Sequence, residues 1–206
     1  VKKHHRLVHG GDVQIGRILA ALDDPNGDGD SADSLTSNTI VILSSDHGFF
    51  LGERQQAGKW YIQEESIRVP MIVVDPRLPS SQQGKRVSQM VLNIDIPATI
   101  LDYAGATIPS VMQGRSMKPI VDGVPPSDWR TAFFHHHPHL GGVFGNEGVR
   151  TTNFVYTRYP SNGNVKQLYD VSVDPYQRTN LVDDPRYASK VSELDALTTQ
   201  MKSDAQ

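Results

Sequence analysis

The run Ser44-Ser45-Asp46-His47-Gly48, followed by Leu51-Gly52-Glu53-Arg54 and Gly58-Lys59-Trp60, gathers an acid, an imidazole and an ammonium just after the apolar stretch Thr39-Ile40-Val41-Ile42-Leu43. A carboxylate such as Asp46 is a hard oxygen ligand suited to Ca²⁺ or Mg²⁺. The His47 imidazole suits Zn²⁺ or Mn²⁺ better, or hydrogen-bonds a bound anion. Lys59 supplies a mobile point charge for a sulfate or phosphate oxygen. The three together could hold a divalent cation beside a tetrahedral oxyanion. On spacing alone, a polar turn closing a strand accounts equally well for Asp46-His47-Gly48.

These residues need a scaffold, and the hydrophobic pattern outlines one. Val8, Val13, Ile15, Ile18, Leu19 and Leu22 recur at helical spacing and stop at Asp23-Asp24, which predicts an amphipathic helix over 8–22. Residues 39–43 are short, continuous and β-branched, the pattern of a central strand buried on both faces. In open α/β sheets ligands bind beyond the carboxyl ends of strands, where Asp46 and His47 would lie. A second strand is expected over 70–74. Residues 95–104 read as a helix with Asp95 as N-cap and Pro97 in its first turn. Alternation of strand and helix argues for an α/β layer architecture. Beyond the turn-rich 119–129 segment the pattern changes to short strands at 132–136, 148–152, 154–159 and 166–169, closed by a helix over 187–201. The expected organisation is therefore an α/β unit over 1–128 and a small antiparallel sheet with a helix over 129–206.

Composition narrows the partners. With 206 residues, 37% hydrophobic, 21% charged and a net charge of -3, the chain can bury a core and carries no basic nucleic-acid-binding surface. No run approaches the roughly 18 apolar residues of a membrane span, and the basic start Val1–Arg6 lacks the apolar stretch of a signal peptide. Absence of cysteine removes disulfides and thiolate chemistry but leaves the compartment open.

Taken in order, the motifs become more specific. Ser45-Asp46-His47-Gly48, Leu51-Gly52-Glu53, Gly58-Lys59-Trp60-Tyr61, Glu64-Glu65-Ser66-Ile67-Arg68-Val69-Pro70 and Asp75-Pro76-Arg77 resemble the later half of a type I sulfatase. So do Asn93–Asp102 with Ala104-Gly105, Gln113-Gly114-Arg115-Ser116, Gly148-Val149-Arg150-Thr151, Gln167-Leu168-Tyr169-Asp170 and Asp174-Pro175 with Asn180-Leu181. The resemblance runs from about residue 7 to 200. It implies part of an alkaline-phosphatase-like sandwich, sulfate-ester hydrolysis of a small molecule or glycan at a Ca²⁺-assisted site, and a periplasmic or extracellular location. Carried over by position, Asp46 and His47 become metal ligands, and Lys59 and His47 catalytic contacts, with Lys59 on the sulfate. A cation and an ammonium would stabilise charge growing on sulfate oxygens, and electrostatic stabilisation of that kind usually contributes most to the rate of such chemistry.

The departures are equally specific. The family's Cys/Ser-x-Pro/Ala-x-Arg motif, source of its formylglycine nucleophile, is absent, as is its early Asp-Asp metal pair. A complete member is expected to be about twice as long, so the chain reads as a C-terminal portion, and negligible turnover is expected from it alone. Arg54 stands where many relatives have histidine, which leaves its substrate contact open. Phosphonate monoester hydrolases and phosphodiesterases of the same superfamily also carry Ser-Asp-His-Gly, and a non-catalytic binding module is a third reading.

Three weaker signals remain. Asp24-Pro25-Asn26-Gly27-Asp28-Gly29-Asp30 matches the first half of an EF-hand-type loop, but Leu35 stands where the closing glutamate belongs, which favours a solvated acidic loop. In Phe133-Phe134-His135-His136-His137-Pro138-His139, His135 and His137 are candidate substrate contacts; a histidine-rich surface turn is the alternative. His4, His5 and His9 read as exposed helix residues. Glu64, Glu65 and Arg68 read as a salt-bridged loop that positions Lys59.

Overall fold

A computed structural model describes residues 2–140, 142 and 144–205. In chain order the elements are α1 (Lys2–Asp23), β1 (Val41–Ser44), β2 (Phe50–Leu51), β3 (Ala57–Gly58), α2 (Glu64–Ile67), β4 (Met71–Val74), α3 (Asp95–Tyr103), α4 (Lys118–Val121), β5 (Ala132–His137), β6 (Asn146–Thr151), β7 (Phe154–Tyr159), β8 (Val165–Asp170) and α5 (Ala188–Asp204). Mixed α/β structure with a small C-terminal antiparallel sheet and a closing helix agrees with the pattern read from the sequence.

The four-stranded sheet β5-β6-β7-β8 is a meander, every neighbour antiparallel. Alternation along its strands sends side chains to two different partners. Val149, Tyr156 and Leu168 stand opposite one another across three strands and are fully buried against Leu194 of α5. Val155 and Tyr169 are paired on the other face and pack against Ile62, which immediately precedes α2. The sheet thus has α5 on one side and the segment after Lys59 on the other, so it fixes where that segment runs. Charge reinforces the α5 side: Arg158 pairs with Glu147 and Asp195, Lys202 with Glu147, and the Tyr156 hydroxyl donates to Asp195 at 2.6 Å.

Two expectations are corrected. The 39–43 run forms β1 at 41–44, but it is only half-buried and, among the described residues, pairs antiparallel with β4 alone rather than lying at the centre of a covered sheet. Ile72 and Val74 on β4 are 49% and 52% exposed, so the β-branched composition records a burial that the described residues do not supply. Asp95 is not an N-cap. It is the first helical residue of α3, fully buried; Ile94 takes the cap position, and the Asp95 carboxylate accepts from the Leu92 and Arg115 amides and pairs with Arg130. The aspartate's acceptors are drawn to an arginine 35 residues away instead of to its own helix.

The first helix is longer than its apolar pattern, and none of its residues is buried. Leu7 and Ile18 are 75% and 63% exposed. Among the described residues no helix is long and apolar enough to cross a membrane.

Candidate functional site

The chain leaves β1 at Ser44 and turns through Ser45-Asp46-His47-Gly48, and two distant segments clamp that turn. The Asn93 amide donates to the Ser45 and Asp46 carbonyls at 3.1 and 3.2 Å. The Gly48 amide donates to the Ser66 carbonyl at 2.7 Å. A Cβ on residue 48 would overlap the Glu65 carbonyl oxygen and sit 3.0 Å from the Glu65 and Ser66 carbonyl carbons, so only glycine lets the turn lie against α2. Asn93 was legible only as part of a longer motif; its role as a clamp needed the fold.

The turn presents Asp46 and His47 to Lys59. The His47 Nδ1 lies 2.8 Å from the Gly48 carbonyl, an acceptor, so Nδ1 carries the proton. Nε2 meets the Lys59 ammonium, which can only donate, and therefore holds a lone pair. Asp46 Oδ2 stands 3.1 Å from that same nitrogen. Two acceptors thus face one another with a cation against them, the arrangement that a bound positive charge satisfies. The Asp46 side chain is 80% exposed. What burial it has pushes its carboxyl upward, but the backbone amides of Asp46 and His47 and the Lys59 ammonium oppose that, and the carboxyl lies below the usual carboxylate value. Asp46, His47 and Lys59 are therefore brought together, as their spacing allowed.

Lys59 owes its place to a strained loop. The β2–β3 hairpin pairs Phe50 with Gly58 and Leu51 with Ala57. Arg54, Gln55 and Trp60, none of them glycine, hold left-handed backbone at φ 54°, 59° and 88°. Such positions cost about 1–3 kcal/mol each and persist where surrounding contacts over-determine them. Arg54 supplies several of those contacts: its guanidinium pairs with Glu65 and donates to the Tyr176 and Gln177 carbonyls, and it lies over the Tyr169 ring at 5.7 Å. The hydrogen-bonding ends of the guanidinium are thus engaged within the protein. Glu64 pairs with Arg150 at 2.6 Å, and the Glu64 amide donates to Gln177 Oε1. The ion-paired Glu64-Glu65 segment therefore ties the β2–β3 loop, the sheet and the 174–180 turn together.

The histidine run lies on β5 next to this loop. The Trp60 ring packs against His137 with centroids 5.8 Å apart, and Asn146, opposite His137 in the sheet, donates to the Trp60 carbonyl at 3.0 Å. His135 Nε2 and His137 Nδ1 are buried and lack a partner. Burial lowers the His135 pKa to about 4 and that of His137 in the same direction. His135 and His137 are consequently neutral, inward-facing groups behind Trp60, whereas His136 and His139 are exposed.

The site contributes an incomplete donor set for a metal. Among the described residues no group of three or more His, Cys, Asp or Glu side chains is arranged to hold an ion. Ca²⁺ takes about 6–8 oxygen ligands, so Asp46 and His47 fit as two members of a larger shell. In the 24–30 loop, Asp24 accepts from the Gly27 and Gly29 amides, and Asn26 and Asp28 from Asp28 and Asp30 amides; these side chains cap their own backbone.

A family model described as N-sulphoglucosamine sulphohydrolase, C-terminal, matches residues 52–204. An N-acetylglucosamine-6-O-sulfatase of Bacteroides thetaiotaomicron is 35% identical over 188 residues, which is 89% of this chain and 32% of that protein. Among solved structures, a protein in complex with its substrate D-glucosamine-2-N,6-O-disulfate has a TM-score of 0.84 at 32% identity, covering 96% of this chain and 39% of that one. A phosphonate monoester hydrolase from Silicibacter pomeroyi has a TM-score of 0.78 at 25% identity, covering 95% and 39%. The chain spans about a third of the curated relatives it matches, a smaller share than the half its motifs led one to expect.

Proposed function

The chain belongs to the sulphohydrolase C-terminal family, part of the sulfatases of alkaline-phosphatase-like fold, and from that premise we propose that it is the C-terminal portion of an enzyme hydrolysing sulfate esters of amino-sugar glycans. The observation that carries this is the convergence of the Asp46 carboxylate, the His47 Nε2 lone pair and the Lys59 ammonium at the exit of β1. The amino-sugar substrate rests on the named relative and on the sugar disulfate bound in the similar structure.

In the proposed mechanism Lys59 donates to a non-bridging sulfate oxygen, where charge accumulates as the ester bond weakens. Asp46 and His47 would hold Ca²⁺, which when bound supplies further positive charge beside the ester; the other ligands and the nucleophile lie outside this chain. His47 keeps its Nδ1 proton on the Gly48 carbonyl, so its Nε2 lone pair is fixed in direction. His135 and His137 line the wall behind Trp60 as neutral contacts for the sugar, and Arg54 acts by holding the loop that carries Lys59. A phosphonate ester is a second reading, supported by the likeness to the Silicibacter pomeroyi hydrolase and by the tetrahedral geometry shared with sulfate.

The test uses the whole protein with paired aryl sulfate and aryl phosphonate esters. Lys59→Ala is expected to lower turnover on the preferred ester about 100-fold, the size of a lost oxyanion donor, and to weaken inhibition by free sulfate. Unchanged kinetics would remove Lys59 from the mechanism. Asp46→Ala should weaken calcium binding in a titration followed directly by calorimetry.

A further inference from the structure

A cavity of about 750 Å³ opens between the 53–65 segment, the 176–180 turn and the face of β7 and β8 turned away from α5. Neither Asp46, His47 nor Lys59 lines it. Its floor is built from Tyr159 and Tyr169, each 7% exposed, with Gln63, 5% exposed, between them. The Gln63 amide lies beside both phenols, and Tyr61 is near enough to Tyr159 to affect it electrostatically. Gln63 donates through Nε2 to Gln167 Oε1 at 3.0 Å, but its own Oε1 has no donor. Gln177, 1% exposed, accepts from the Glu64 amide while its Nε2 has no acceptor.

Buried polar groups are normally satisfied, and two unpartnered amides lining one cavity call for explanation. The charge there balances: Arg54 and Glu65 pair with each other at the cavity wall, and Glu53 and Arg178 add one charge of each sign, Arg178 over the Tyr176 ring. Burial raises both phenols, so Tyr159 and Tyr169 stay protonated and neutral. Between these opposite charges the lining is neutral hydroxyls and amides on aromatic walls. This combination, with no net charge, suits the hydroxyl groups and apolar face of a sugar ring.

We propose that this cavity is a subsite for a neutral, unsulfated saccharide ring, separate from the ester site. A ring hydroxyl would donate to the Tyr159 or Tyr169 oxygen, and a small turn of the Gln63 side chain would bring Oε1 within reach of that phenol's hydrogen, which completes the missing bond. The idea rests on the proposed glycan sulfatase activity for its place in a reaction, but its test does not. The subsite would let the enzyme grip the residue next to a sulfated one, and so favour oligosaccharides over isolated sulfated sugars.

The experiment titrates the whole protein with the neutral disaccharide N,N′-diacetylchitobiose by calorimetry, in saturating inorganic sulfate to occupy the ester site. Saturable binding is expected, unchanged in Lys59→Ala and weakened about fivefold or more in Tyr159→Phe with Tyr169→Phe, a change that removes only two hydroxyls. The same double variant should hydrolyse a small aryl sulfate at the original rate, which also shows that it folds. Absence of saturable binding overturns the proposal, as does equal affinity in the double variant. Binding lost in Lys59→Ala but retained in the double variant puts the sugar at the ester site and overturns it too. A protein that binds the disaccharide through these tyrosines yet cleaves no sulfate ester retains the subsite and refutes only the proposed hydrolysis.

Discussion

Lowering the pH from 7 to 5 should destabilise this protein chiefly through the buried His135 imidazole, with His137 adding in the same direction. His135 lies on β5, two residues before the His137 that packs on Trp60, and burial, with smaller contributions from His137 and His136, outweighs the opposing influence of the Asn146 side chain to bring its pKa from 6.5 to about 4. In the folded state the ring stays neutral until about pH 4, whereas in the unfolded chain it takes a proton near 6.5. Between those values the unfolded state binds more protons, so stability falls as pH falls. At about 1.4 kcal/mol per pKa unit the whole effect is about 3 kcal/mol, of which about 2 kcal/mol is lost between pH 7 and 5. The lowered carboxyls, Asp46, Asp75, Glu147 and Asp195 among them, contribute stability above their unfolded values near 4 and lose it only at lower pH. The pH 5–7 window is therefore free of them. Urea unfolding at both pH values, compared between the natural protein and His135→Gln, isolates the imidazole. A loss of stability of equal size in the two proteins would refute the reasoning, because the glutamine cannot titrate.

Other perturbations probe the supports of the site. Gly48→Ala must push a methyl group into the Glu65 carbonyl, and about 2–3 kcal/mol of stability should be lost together with most activity; a thermal shift below one degree would contradict the close approach. Arg130→Met leaves the fully buried Asp95 without its partner and should cost about 3–5 kcal/mol in denaturant unfolding, far more than a surface ion pair. Arg54→Met unties the β2–β3 loop from Glu65 and the 176–177 carbonyls; faster proteolytic cleavage within 52–56 and reduced turnover are expected, and a proteolysis rate equal to that of the natural protein would count against its anchoring role.

Much of the local structure was legible in the sequence because it depends on neighbours. Phe154–Tyr159 is a strand because apolar and aromatic residues alternate there, and the closing helix over 188–204 follows from its spacing of Val191, Leu194, Leu197 and Met201. Asp46, His47 and Lys59 could be singled out because residue type states what each group can donate or accept, and the turn and hairpin between them are short. The ordered motifs also identified the family, since each reports a local constraint.

What the tertiary structure alone decided concerns groups far apart in the chain. Asp95 has the position and type of a cap, yet Arg130 lies within reach of its carboxylate, and a buried charge gains more from an arginine than from its own helix amides. Arg54 was a candidate substrate contact left open by the sequence, and in the fold it braces its loop, because the 174–180 turn folds back onto it. The cavity floored by Tyr159 and Tyr169 could not be foreseen at all: Gln63, Tyr159 and Tyr169 share nothing in the sequence, and only the packing of the 53–65 segment on the outer face of β7 and β8 brings them together. Residue identity sets what each group can do; which groups meet is set by the sheet, whose two faces bury one set of side chains under α5 and hold the site loop on the other.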